Sequence, residues 1–235
     1  MELDLYCERL GPGLLGEPVN TLTNAAFFLA AVWIWRQAPR RRGRVDPGIA
    51  LLVGLVLAIG VGSTLFHTTA SRWALVADVG PILLFQMVFL WLYLKRRMGL
   101  SHAPALILEA LFVAATLASR SWPQLLNGSL AYGPSLLALL LLGLRERALR
   151  SRTTQGGTTL LLAAAVFAVS LTLRSVDQLV CAWLPLGTHP AWHLLNALVL
   201  ALVSRSIMEP AAPPPPGSPQ TGRDTEVPAH PIPSP

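Results

Sequence analysis

The sequence predicts an all-α membrane protein, a bundle of seven transmembrane helices with its N-terminus outside and its C-terminus in the cytosol. Three observations carry that expectation. Of 235 residues, 53% are hydrophobic and only 13% charged, where a soluble domain carries roughly 25% charged residues. The apolar residues fall in continuous blocks such as 48–66 and 76–94, long enough for a helix to cross the hydrocarbon. Basic residues gather in alternate loops. In lipid only helices and closed barrels satisfy their own backbone, and unbroken apolar runs are not the alternating strands of a barrel.

Residues 1–17 (MELDLYCERLGPGLLGE) are expected to form a short extracytoplasmic segment. Acidic residues stand where a secretory signal has its basic region, and no apolar stretch precedes Pro18. Spans are predicted at 18–35, 47–67, 76–94, 103–119, 129–144, 158–182 and 188–207, so that 18–207 make the transmembrane domain. The fourth is short, and Gly133 and Pro134 interrupt the fifth. Residues 208–235 carry half of the chain's 20 prolines and read as a disordered cytosolic tail.

Orientation follows from the loops. Arg36, Arg40, Arg41, Arg42 and Arg44 lie in the first, Lys95, Arg96 and Arg97 in the third, and Arg145, Arg147, Arg150 and Arg152 in the fifth. The N-terminus and the alternate loops hold Arg9, Arg72 and Arg120. The side with the excess of basic residues is cytosolic. A net charge of +6 then needs no nucleic-acid partner, because basic loops orient the chain and meet anionic head groups.

With that topology the polar residues of the spans share one depth. Glu17, Asn20 and Asn24 lie at the outer end of the first span, Ser63 and His67 at that of the second, and Asp78 near the start of the third. Arg174 and Asp177 fall in the outer half of the sixth, and His189 and His193 open the seventh. Each has a bland reading. Ser63 can bond back to a helix carbonyl, the asparagines can join helices, and Arg174 and Asp177, at i and i+3, read as an internal ion pair. Convergence on the outer leaflet is what points to a site, since ionisable groups in spans are costly. His189 and His193, four apart, share a helix face, and His67 offers a third imidazole. Three histidines with an open fourth position suit a catalytic zinc.

In order and spacing these residues resemble the alkaline ceramidases, members of a superfamily of seven-helix membrane hydrolases that includes the adiponectin receptors. The resemblance covers about residues 4–207. It implies zinc held by His67, His189 and His193, with Ser63 and Asp78 flanking the activated water. It also implies a calcium ion near the zinc, held by acidic residues of the N-terminal segment and first span. Glu8 and Glu17 match that pattern, and Asp4 matches once one residue is inserted before the cysteine. Arg9, Leu10 and glycines occupy the stretch where the family has an asparagine ligand. Cys7 and Cys181 are paired by the family pattern, on a side where oxidation is expected.

The implied activity is zinc-dependent hydrolysis of ceramide or a related lipid amide, giving a sphingoid base or long-chain amine and a fatty acid. The bilayer and its lipids are the expected partners. The expected location is the bacterial inner membrane, with the site near the outer, periplasmic leaflet. The competing class is a zinc-containing receptor or signalling protein of the same superfamily. A retinal protein is excluded because the only lysine, Lys95, lies at the end of a span. A transporter would continue its polar residues through the inner leaflet, and the setting GVGSTLFH of Ser63 is not the serine-hydrolase elbow.

Overall fold

Helices dominate the computed structural model, which describes residues 3–9, 11, 13–149 and 155–209. Beyond Glu209 the proline-rich tail lies outside the described residues, as do Arg150 and Arg152 of the fifth loop. Helices α1 (Pro18–Thr23) and α2 (Ala25–Gln37) follow one another through Asn24, which stays right-handed at φ −62°. The first predicted segment is thus broken once. Thr23 Oγ1 donates back to the carbonyls of Val19 and Asn20, a contact that bends helices. A tight hairpin, β1 (Arg40–Arg41) and β2 (Arg44–Val45), turns the chain through Arg42 and Gly43, both at positive φ.

Helix α3 (Pro47–Thr69) starts with Asp46 accepting from the Ile49 N–H at 3.1 Å and with proline in its first turn. Helix α4 (Arg72–Arg96) begins one turn earlier than the hydropathy suggested. Helix α5 (His102–Ser119) is followed by a 3-10 segment (Leu125–Tyr132) and α6 (Gly133–Leu149). Gly133 and Pro134 therefore open a helix instead of interrupting one. A proline in the first turn forfeits no hydrogen bond, because that N–H has no partner in any case. Helices α7 (Gln155–Val180) and α8 (His189–Met208) complete the fold.

Six of these elements are long and apolar enough to cross a membrane: α3, α4, α5, the unit Leu125–Leu149, α7 and α8. Leu106, Leu111, Leu137, Leu141 and Leu162 are each more than half exposed. Such a belt would be a liability in water and is ordinary in lipid. The chain is an all-α, multi-pass membrane protein. Inside, α3 packs along α4 and α7 along α8, while α1 and α2 wedge between α3 and α8. Phe27, Ile34, Leu52, Ile59, Phe85 and Phe167 fill the space between them. The wedge matters most, because α3 and α8 carry the histidines.

Candidate metal centre

His67 is buried on the last turns of α3, and both of its ring nitrogens are engaged. Its Nδ1 lies 2.5 Å from Glu17 Oε2, and its Nε2 lies 3.1 Å from His193 Nε2. His193 in turn sets Nδ1 2.9 Å from Thr23 Oγ1. The Thr23 hydroxyl spends its own hydrogen on helix carbonyls, so it accepts from His193, as the Glu17 carboxylate accepts from His67. The hydrogen-bond network thus assigns both imidazoles the Nδ1–H tautomer. Two bare Nε2 lone pairs then face each other and repel unless they share a cation.

A metal fits this donor set. Zinc–nitrogen bonds of about 2.0–2.1 Å at a tetrahedral angle hold two ligand nitrogens roughly 3.3 Å apart. One ring nitrogen each from His67, His189 and His193 lie within 4.8 Å of one another, and all three residues are buried. His189 Nδ1 is buried without a hydrogen-bond partner. Among the described residues this is the group of three or more donors arranged to hold an ion. Glu17 behind His67 and Thr23 behind His193 are the outer contacts that orient metal-binding imidazoles.

The start of α8 is held by Asp177. Its carboxylate accepts from the N–H groups of Thr188 (2.6 Å), His189 (2.8 Å) and Cys7 (3.1 Å). Gly187, at φ +64°, permits this closure, since a Cβ there would stand 2.2 Å from Asp177 Oδ1. The internal ion pair expected between Arg174 and Asp177 does not form. A helix N-terminus offers Asp177 several N–H donors and a favourable dipole at once. Arg174 instead donates to the Asn127 carbonyl at 2.5 Å and to Ser129 Oγ at 3.1 Å, and lies over the rings of Tyr132 and Trp192.

Cys7 and Cys181 are joined by a disulfide, with their Cα atoms 5.1 Å apart. It fastens the N-terminal segment over the centre, where Tyr6 stacks on His189 with centroids 3.6 Å apart. Burial pushes the Tyr6 phenol well above its ordinary range, so it stays protonated. Leu3 adds a backbone hydrogen bond to Ala70 at the end of α3.

Ser63 and Asp78 line one cavity with Tyr6, Arg174, His189 and His193. Their meeting depends on a close helix approach. A Cβ on Gly62 would fall 2.0 Å from the Ala77 carbonyl oxygen. Pro81, four residues on, has no N–H to give that carbonyl, which leaves it free to press against α3. Ile82, Tyr132 and Asn196 belong both to this cavity and to an apolar one that runs past Phe89 and Phe112 toward Val203.

The acidic residues of the N-terminal segment are arranged differently. Glu8 accepts from the Val19 and Asn20 N–H groups at 2.5 and 2.7 Å, so it caps α1. Glu17 accepts from Arg9, His67 and the Asn20 side chain, while Asp4 is exposed. Asn20 Oδ1 and both polar atoms of the Asn24 side chain are buried without a partner. Sequence reasoning had missed Tyr6, Thr23 and the cavity position of Arg174. Thr23 lies three residues after Asn20 and Tyr6 precedes a bridged cysteine, which are the only local signals they give.

The family model described as Ceramidase matches residues 12–208, in agreement with the resemblance read from the sequence. No curated protein matches the chain.

Proposed function

The chain thus belongs to the ceramidase family, and from that premise we propose a zinc-dependent intramembrane amide hydrolase acting on ceramide or a related lipid amide. The observation that carries this reading is the pair of bare Nε2 atoms of His67 and His193, 3.1 Å apart beside His189. Zinc held by these three residues would supply a Lewis acid that brings a water to a pKa of about 7 and polarises an amide carbonyl.

The remaining chemistry falls to the chain's own groups. Asp78 takes a proton from water and delivers it to the leaving nitrogen. Ser63, beside Asp78, donates to the oxygen on which charge develops. Arg174, anchored by Asn127 and Ser129, keeps a positive field on that side of the cavity. The apolar cavity beyond Ile82 and Asn196 is suited to a hydrocarbon chain.

The same reading gives the chain seven crossings, with α1 and α2 together forming the first, the N-terminus outside and the tail of residues 208–235 in the cytosol. It places residues 1–17 over the site at the outer leaflet of a bacterial inner membrane. The loop arginines support that orientation.

Purified protein tested on acyl-labelled ceramide, together with elemental analysis, decides the matter. Fatty-acid release that tracks one zinc per chain, disappears on chelation and returns with zinc is the expected result. Bound zinc without release from any lipid amide would favour the receptor reading, and release from zinc-free protein would remove the metal from the mechanism.

A further inference from the structure

The acidic residues assigned to calcium by resemblance are already occupied. Glu17 is buried, with Oε1 2.6 Å from Arg9 Nε, and Oε2 2.5 Å from His67 Nδ1 and 3.0 Å from Asn20 Nδ2. Both oxygens of Glu8 accept from the first turn of α1. Calcium takes six to eight oxygen ligands at roughly 2.3–2.6 Å. A carboxylate facing a guanidinium and two other donors, and a second carboxylate spent on a helix start, do not make that shell. Among the described residues Asp4, Glu8 and Glu17 form no ion-holding group.

We propose that Arg9 is a resident cation of this protein: its guanidinium neutralises Glu17, fixes through it the ring of His67, and makes the histidine centre independent of calcium. Arg9 is buried, and its fork reaches three elements. While Nε donates to Glu17, Nη2 donates to the carbonyl of His67 at 3.1 Å and Nη1 reaches the Gly11 carbonyl at 3.5 Å. One planar group thus holds both the backbone of a metal ligand and the carboxylate that orients its ring. A lysine ammonium has no such fork.

The surrounding loop is shaped to the guanidinium. A Cβ on Gly16 would lie 2.8 Å from Arg9 Nη1 and 2.8 Å from the Gly11 carbonyl, and Gly13 sits at φ +108°. The arginine and glycines that depart from the family's pattern at this place are therefore parts of one arrangement. Arg9 is a positioning residue, acting on the metal through Glu17 and His67.

The inference uses the zinc reading only through His67, and its two arms separate the two ideas. In the first, zinc-loaded wild-type protein is dialysed to equilibrium against radioactive calcium and melted with and without millimolar calcium. No binding and an unchanged Tm are expected. Saturable binding, or a Tm raised by about 5 °C or more as a tight site would give, would overturn the proposal. Wild-type protein that holds no zinc would sink the proposed function, and the same calcium dialysis and melting on the protein as purified would still read this arm.

In the second arm, zinc affinity is measured by competition with a chromophoric chelator. Arg9→Gln should weaken zinc by roughly 10–100-fold, the usual effect of losing an outer contact. Arg9→Lys, which restores the charge without the fork, should lose less. Wild-type affinity in Arg9→Gln, or equal losses in the two variants, would refute Arg9 as the positioning cation. Should Arg9→Gln not fold, Arg9→Lys against wild type and the calcium titration still decide.

Discussion

At one end of the bundle Glu146 of α6 accepts from the Tyr93 hydroxyl and the Arg97 guanidinium of α4. Arg97 also donates to the Glu209 carbonyl at 2.6 Å, and Thr159 donates to the Glu209 side chain at 2.9 Å. Four helices are tied there. At the other end Asp78 of α4 lines a cavity with Ser63 and Arg174, and Arg174 donates to Asn127 and Ser129. Both ends set a carboxylate and an arginine within an apolar bundle, Glu146 and Arg97 buried, Asp78 and Arg174 half-buried. Where the two charges grip each other the result is a clamp; where the cation is anchored elsewhere, the carboxylate is left for the proton transfer proposed above. The difference teaches that a charge set within the bundle does not by itself mark a site, and that what the charge is bonded to does.

The comparison breaks most readily at Asp78. Asp78→Asn should keep zinc and melting behaviour while turnover falls by about 10²–10⁴-fold. Ser63→Ala should follow with roughly 10²–10³. Initial rates of fatty-acid release per bound zinc test both, and near-normal rates in Asp78→Asn would make the two ends alike after all. Glu146→Leu should do the reverse. Removing one partner of a buried ion pair typically costs about 3–5 kcal/mol, so thermal survival in detergent should drop while the rate per folded molecule holds at low temperature.

Gly62→Ala sharpens the contrast, because it alters packing and leaves every polar group in place. A methyl 2.0 Å from the Ala77 carbonyl must part α3 from α4. Overpacking usually costs about 1–3 kcal/mol, whereas a misplacement of ~1 Å near reacting groups can cost about 10²-fold in rate. Activity measured beside Tm should therefore fall further than stability does.

The smallest effect is expected at Asp46, outside both clusters. Burial raises its carboxyl, but the hydrogen bond from Arg96 and the Ile49 N–H outweigh that and hold it below the ordinary 3.8. Its contribution is thus present above that value and is lost as pH falls through it toward the lowered one. Asp46→Ala should cost about 1 kcal/mol at neutral pH, read as a modest Tm decrease that vanishes on acidification. The exposed pairing with Arg96 adds little.

Much of the histidine end was legible in the sequence. Helix periodicity puts His189 and His193 on one face, and the loop arginines put His67 at the same depth, so spacing and loop charge together placed the three at one level. The break at Asn24 was not legible, because residues 19–35 contain neither the glycine nor the proline that usually announces one. Nor was the fate of Arg174 and Asp177, whose i, i+3 spacing favours a pair until α8 presents unsatisfied N–H groups to the acid. Gly133 and Pro134 looked like an interruption because hydropathy does not register where a helix begins. Arg9 stood out only as a departure from the family's pattern, with no sign of its partner. Its partner Glu17 is reached only by a glycine loop that doubles back, and no periodicity describes such a path.

The bridge between Cys7 and Cys181 spans 174 positions of sequence, and the contact between His67 and His193 spans 126. A ribosome adding about 5–20 residues per second needs roughly 9–35 s to travel from the first cysteine to the second. Arg9, Glu17 and His67 are made well before that interval ends, while Asp177, His189 and His193 are still to come. The centre therefore waits for α8, and chains that stop short of α8 would carry every early component of the site without any means of closing it.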